Sequence, residues 1–218
     1  LTDDLAIAVN DESLVLLTEG ALYWPAKDIL LAADLHLGKA AAFRNSSIPV
    51  PLGETSATLE KLSGIVNRLG PQRLVLLGDL WHSSAGMTEK TLSDFQTWRA
   101  LHTQLDITLV LGNHDRRISG YHLETADIPC LPSLSIPPFL LCHEPCEREK
   151  FAICGHIHPA VRLRRRALGS MVVPCFWFTE RFAVLPALGS FTGVSVIRPK
   201  PEDRVFLAPR LHKPQVGG

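Results

Sequence analysis

Apolar positions along this chain come mostly in short continuous runs. Ile29-Leu30-Leu31-Ala32-Ala33, Leu74-Val75-Leu76-Leu77 and Ile107-Thr108-Leu109-Val110-Leu111 each read as a strand covered on both faces. Between them, residues 55–69 carry Leu59, Leu62, Ile65, Val66 and Leu69 at helical spacing, and Gly70-Pro71 stops the run. Residues 88–102 predict a second helix with Thr88 as its N-cap. Strand, helix, strand, helix, strand predicts crossover units and a largely parallel sheet. Ahead of it, residues 5–9, 13–18 and 21–24 predict an opening hairpin or meander around Gly20. Residues 39–44 predict a loop or helical turn, broken by Pro49-Val50-Pro51. After Tyr121 prolines recur and helical periodicity stops, so the second half predicts a β-rich layer beside the first. With no linker and no repeat, one domain is expected over residues 1–208, followed by a loose tail at 209–218.

The apolar runs end in an unusual way. Asp34-Leu35-His36 follows the first, Gly78-Asp79 the second and Gly112-Asn113-His114-Asp115 the third. His143 follows Phe139-Leu140-Leu141-Cys142, and Gly155-His156-Ile157-His158 follows Phe151-Ala152-Ile153-Cys154. The carboxyl ends of buried strands are where open α/β sheets bind ligands. Carboxylate, amide and imidazole donors together suit zinc, manganese or iron. Two such ions about 3.5–4 Å apart can share a hydroxide, lower its pKa and clamp both oxygens of an in-line displacement at phosphorus.

Composition narrows the classes. Hydrophobic residues make up 46% of 218, enough for a sizeable core, and Lys+Arg balances Asp+Glu at 22 each. That balance gives no global field toward nucleic acid or an anionic membrane, so any polyanion site must be local. Five cysteines without a Cys-x-x-Cys pair, and no signal-peptide pattern, predict reduced thiols in a cytoplasmic protein. Cys142, Cys146 and Cys154 fit no structural zinc spacing and read as small apolar residues. No apolar run reaches the ~18 residues of a membrane-spanning helix, so no membrane is expected.

Asp-x-His, Gly-Asp, Gly-Asn-His-Asp, a lone His and Gly-His-x-His, in that order over residues 29–160, resemble the calcineurin-like metallophosphoesterases. The resemblance implies a single-domain, two-sheet α/β sandwich of αββα type with two divalent metal ions, manganese first and zinc or iron as alternatives. It implies that Asp34, His36 and His158 bind one metal, that Asn113, His143 and His156 bind the other, and that Asp79 bridges them. His114 would act on the substrate, stabilising the phosphoryl group or protonating the leaving oxygen, with Asp115 orienting it. The segments Asp34–Arg44 and Leu185–Gly193 are similar to the ligase-associated DNA-damage-response endonuclease group. That likeness implies DNA as substrate, and a DNA ligase and a helicase as partners.

Other residues stay open. Lys39 and Arg44 could contact a phosphate or be solvated loop charges. If residues 161–166 form a strand, Arg162, Arg164 and Arg166 share a face and suit a phosphate backbone, or they keep an edge strand from pairing. Arg116 and Arg117 add to the first reading. His82 could orient a ligand or merely fill its loop. Trp81, Trp98, Trp177 and Phe176 could stack bases, but core positions are the expectation. The function expected is phosphodiester hydrolysis in DNA during repair. The alternatives are a small-molecule nucleotide phosphatase or pyrophosphohydrolase, and a metal-binding scaffold of a repair complex.

Overall fold

The computed structural model describes residues 3–118, 128–147, 150–165 and 169–208. The expected tail at 209–218 and Arg166 lie outside them. Fifteen strands and three α-helices are described. In chain order they are β1 (Leu5–Val9), β2 (Glu12–Leu16), β3 (Leu22–Trp24), β4 (Ile29–Ala32), α1 (Lys39–Asn45), α2 (Glu54–Leu69), β5 (Arg73–Leu77), α3 (Glu89–Leu101) and β6 (Asp106–Val110). There follow β7 (Cys130–Leu131), β8 (Leu134–Ile136), β9 (Phe139–Leu141), β10 (Phe151–Cys154), β11 (Pro159–Arg165), β12 (Gly169–Phe178), β13 (Phe182–Val184), β14 (Ser195–Val196) and β15 (Arg204–Leu207).

The first sheet runs in sequence order from β1 to β7. β1 to β4 form the expected antiparallel meander, and β4 to β7 are parallel. Period-two geometry explains why the runs are apolar throughout. Leu30, Ala32, Leu74, Leu76, Ile107 and Leu109 face α2 and α3, against Leu59, Leu62, Ile65, Phe95 and Trp98. Leu31, Ala33, Val75, Leu77 and Val110 face the other way, onto Phe139, Leu141, Ile153, Phe176 and Phe178 of the second sheet. Thr88 caps α3 as expected, its hydroxyl accepting the Thr91 N–H, and Gly70 ends α2 in a left-handed conformation.

The second sheet is ordered β14-β11-β12-β13-β10-β9-β8, with β15 also paired to β12. Its parallel core, β9-β10-β13, sets the ends of β9 and β10 beside those of β4, β5 and β6. A bridge between Ala33 and Ala187 and the bond from Leu188 N–H to Ala33 O stitch the two sheets together at that end. The result is one two-sheet α/β sandwich. Among the described residues no helix is long and apolar enough to cross a membrane.

Candidate metal centre

Five strand ends deliver the polar residues to one place, and the backbone there is strained. Asp34, His36, Asp79, His156 and His158 all have positive φ, between 47° and 69°. A non-glycine residue in that region costs roughly 1–3 kcal/mol, and such strain persists only where the surroundings over-determine it. Here the loops after β4 and β5 lock together: Asp34 N–H donates to Gly78 O, and His36 N–H to Asp79 O at 2.9 Å. Two glycines make the approach possible. A Cβ on Gly112 would collide with the Asp79 carboxylate, and one on Gly78 with the His143 ring.

The possible donors fall into three groups: Asp34–His36–His158, Asp79–His143–His156, and His36–His82–His114, which shares His36 with the first. In the first, the Nε2 atoms of His36 and His158 lie 3.3 Å apart, and Asp34 Oδ1 lies 3.4 Å from His158 Nε2. In the second, His143 Nε2 lies 3.0 Å from Asn113 Oδ1 and 3.1 Å from His156 Nδ1. Asp79 stands between them. Its Oδ2 is 3.7 Å from His36 Nε2 and its Oδ1 3.5 Å from His143 Nε2.

Does this arrangement fit metal ions? Asp34 is fully buried and its Oδ2 accepts the His156 N–H at 2.9 Å, but Oδ1 has no hydrogen-bond partner. A buried carboxylate oxygen left unpaired costs about 1–3 kcal/mol or more unless a cation meets it. The rings point the same way. His143 Nδ1 donates to Leu77 O at 2.9 Å and His158 Nδ1 to Gly193 O at 3.1 Å. Each bond fixes the tautomer and leaves Nε2 with a free lone pair toward the site, the usual outer arrangement of metal-binding histidines. The residues fit divalent ions.

The protonation equilibria favour a free lone pair at His36 and oppose it at His158. Burial, with the charges of His158, His114, Lys39 and His82 around it, holds His36 down to about 2. Burial also works to lower His158, but the Asp34 carboxylate and the Gly193 carbonyl outweigh it and raise this histidine.

His114 lies outside the first two groups and clusters with His36 and His82 in the third. Its ring is partly open to solvent, its Nε2 is 3.9 Å from Asp79 Oδ2, and its backbone N–H donates to Asp79 Oδ1 at 2.9 Å. The structure corrects the expectation for Asp115. That carboxylate is fully buried and does not hold the His114 ring; it accepts the backbone N–H groups of Gly112 at 3.0 Å and Trp81 at 3.2 Å. Burial raises its pKa, opposed by those same bonds. Asp115 thus ties the loop after β6 to the loop after β5. The ring of His114 is held instead by His82, whose carbonyl accepts from Nδ1 at 2.6 Å and whose imidazole stacks on it at 5.0 Å. His82 also places its Nδ1 3.5 Å from His36 Nδ1. Burial, then the charges of His114 and Lys39, push His82 down to about 4. These contacts of His82 and the Gly193 carbonyl were beyond reach from sequence, since neither partner is near in the chain.

Of the remaining candidates, Lys39 sits at the mouth, its Nζ 5.9 Å from the Phe43 ring centre and its charge felt by His36, His82 and His158. Arg44 turns to the chain itself, donating to Pro51 O at 3.0 Å and Val50 O at 3.4 Å. Arg162 is exposed on β11, and the register pairs positions 162 and 164 with Val172 and Ser170, which places them on one face. Arg116 and Arg117 are exposed beside the site. Trp81, Trp98 and Phe176 are buried in the cores, and Trp177 packs on Phe182, as expected of core aromatics.

No protein-family model matches the chain, and no curated protein matches it. Among solved structures, the crystal structure of Pseudomonas putida nuclease MPE matches with a TM-score of 0.84 and 35% identity, over 95% of this chain and 98% of that one. Yfce, a phosphoesterase from E. coli, gives a TM-score of 0.44 and 15% identity over 76% and 82%, a likeness too distant to argue from. The near-complete overlap with the Pseudomonas protein, together with the strand-end donors, establishes that this chain belongs to the calcineurin-like metallophosphoesterases, metal-dependent hydrolases of phosphate esters, in the group of that nuclease.

Proposed function

We propose that the chain is a nuclease that cleaves phosphodiester bonds in DNA, using two divalent ions held side by side. The observation that carries this is Asp79, a single buried carboxylate whose two oxygens face the two donor groups. In this reading Asp34, His36 and His158 hold one ion, Asn113, His143 and His156 the other, and Asp79 bridges them. Ions held there would supply an activated water at neutral pH and offset the charge of the phosphoryl oxygens. The mixed carboxylate, amide and imidazole set accepts manganese, which we place first, and also zinc or iron.

The chain's own residues complete the chemistry. The Nδ1–H of His114 is given to the His82 carbonyl, so only Nε2 is left to act toward substrate. In the protonated ring Nε2 donates to a phosphoryl oxygen or passes its proton to the leaving oxygen. Asp115 and the Asp79 bond to His114 N–H keep this loop fixed while that proton moves. Exposed Arg116, Arg117 and Arg162 offer local positive charge in a chain of zero net charge.

The likeness to a nuclease over nearly the whole chain supports a polynucleotide rather than a small nucleotide. The setting we propose is DNA repair in the cytoplasm, with a DNA ligase and a helicase as partners. The segments Asp34–Arg44 and Leu185–Gly193 support it, and so do five cysteines without a disulfide, which fit a reducing compartment. Salt dependence of DNA binding by the manganese-loaded protein tests the substrate. Each phosphate contacted should contribute a slope of about −0.7 to −0.9 to log K against log salt. Replacing Arg162, Arg164 and Arg166 with alanine should flatten that slope for every sequence and leave a small diester substrate unaffected. A flat response in the parent protein would leave a small nucleotide as the substrate.

A further inference from the structure

The proposed chemistry leaves one pair of reactive side chains unused. Cys142 and Cys146 bring their Sγ atoms to 3.6 Å, in a small cluster with Ala152, Cys154, Val184, Trp177 and Phe182 on the second sheet. Cys142 is the residue before His143. None of the five cysteines is in a disulfide.

We propose that Cys142 and Cys146 form an oxidation site. Hydrogen peroxide joins them in a disulfide, and the bond closes residues 142–146 into a ring that holds His143 and weakens the metal position it serves. The second half of this statement rests on His143 being a ligand.

The argument is one of distance and anchoring. A disulfide is about 2.05 Å long, so the two sulfurs must approach by about 1.5 Å. Cys142 is anchored, because its N–H donates to Ile153 O at 3.1 Å within the sheet. Cys146 is only half-buried, and Glu144 between them is exposed, so the approach falls on residues 143–146. Closing the bond also removes the contact from Cys142 Sγ to Glu144 O, now 3.2 Å, which shapes that segment. His143 cannot follow freely. Its carbonyl accepts Gly155 N–H at 3.0 Å and its Nδ1 donates to Leu77 O at 2.9 Å. The ring closure therefore pulls against the contacts that set Nε2 at 3.0 Å from Asn113 and 3.1 Å from His156. Cys154, the third thiol of the cluster, is fully buried and donates to Ala183 O at 3.2 Å, which leaves Cys146 as the accessible member.

The chemistry balances. The Cys146 sulfur attacks one peroxide oxygen, the O–O bond breaks, and water leaves a sulfenic acid behind. The Cys142 sulfur then displaces the sulfenic hydroxyl, forming the S–S bond and a second water. Two thiols are oxidised, and one peroxide is reduced to two waters.

The test uses the full chain treated with hydrogen peroxide and read by mass spectrometry after alkylation. The parent protein and Cys175→Ser should lose the mass of two hydrogen atoms, with the link located between Cys142 and Cys146. Cys146→Ser should form no such link. Manganese binding at the weaker position of the oxidised protein should fall roughly 10–100-fold, the range seen when ligand-supporting contacts are lost, and recover with a thiol reductant. Peroxide-treated Cys146→Ser should keep the affinity of the reduced protein. A parent protein that retains five alkylatable thiols overturns the proposal, and a disulfide that leaves manganese affinity unchanged overturns its coupling to the site. If the reduced protein binds no manganese, the ligand assignment fails, and the mass measurement alone decides the disulfide.

Discussion

Replacing His114 with alanine separates metal binding from proton chemistry. The ring lies outside the two groups assigned to the ions, though it clusters with His36 and His82, and its Nδ1 is committed to the His82 carbonyl, so the change removes one Nε2 and no proposed ligand. The backbone N–H that bonds Asp79 Oδ1 is kept in alanine. What the fold loses is the stack on His82, worth about 0.5–1.5 kcal/mol, and the Nδ1–H bond to the His82 carbonyl, worth about 0.5–1.5 kcal/mol more. A general acid–base group contributes about 10²–10⁴ in rate, which at 1.36 kcal/mol per decade is about 2.7–5.4 kcal/mol of barrier. The kinetic loss should therefore be the larger of the two. The assay is hydrolysis of bis-p-nitrophenyl phosphate and of a diester with a poorer leaving group, with bound manganese and melting temperature measured on the same samples. Proton donation to the leaving oxygen predicts a larger loss for the poorer leaving group. An equal loss for both assigns His114 to stabilising the phosphoryl oxygens. Loss of manganese, or a rate reduction below about tenfold, would refute the reasoning.

Asp79→Asn keeps the shape of the side chain and removes its charge, so it should lower manganese content at both positions and abolish hydrolysis. Near-normal turnover with full metal content would be incompatible with a bridge. Acid should destabilise the metal-free protein. His36 and His82 stay neutral in the fold, at about 2 and about 4, while the unfolded chain takes up protons near pH 6.5. The unfolded state thus binds more protons, and stability falls as pH drops from about 6.5 toward 5. His158, raised in the fold, binds its proton first in the folded state and so works against this trend near the top of the window, one histidine against two. Denaturant midpoints across that range check it; a midpoint that rises on acidification, or a slope unchanged in a double His36→Ala, His82→Ala variant, would contradict it.

Much of this protein is legible in its sequence because the relevant signals are local. A run such as Leu74–Leu77 must be covered on both faces, and the polar residue that follows it must sit at the carboxyl end of the sheet, whichever strands lie beside it. The helices α2 and α3 announce themselves by spacing and by Gly70 and Thr88 at their ends. The donors that the structure brings together, Asp34, His36, Asp79, Asn113, His143, His156 and His158, all occupy such strand ends. Which strands adjoin is another matter. The order of the second sheet, with β10 between β9 and β13 and β15 returning to β12, depends on pairings between short strands with no length or period to distinguish them. The supporting contacts follow from that order. Asp115 was expected to hold the neighbouring His114 ring, but its oxygens reach Gly112 and Trp81 because the loops after β5 and β6 lie side by side. The ring of His114 found the His82 carbonyl, 32 residues away, and His158 found Gly193, 35 away. Local pattern decides which face or end of an element a residue occupies; a hydrogen bond depends on tenths of an ångström between segments far apart in the chain, and only their packing sets that.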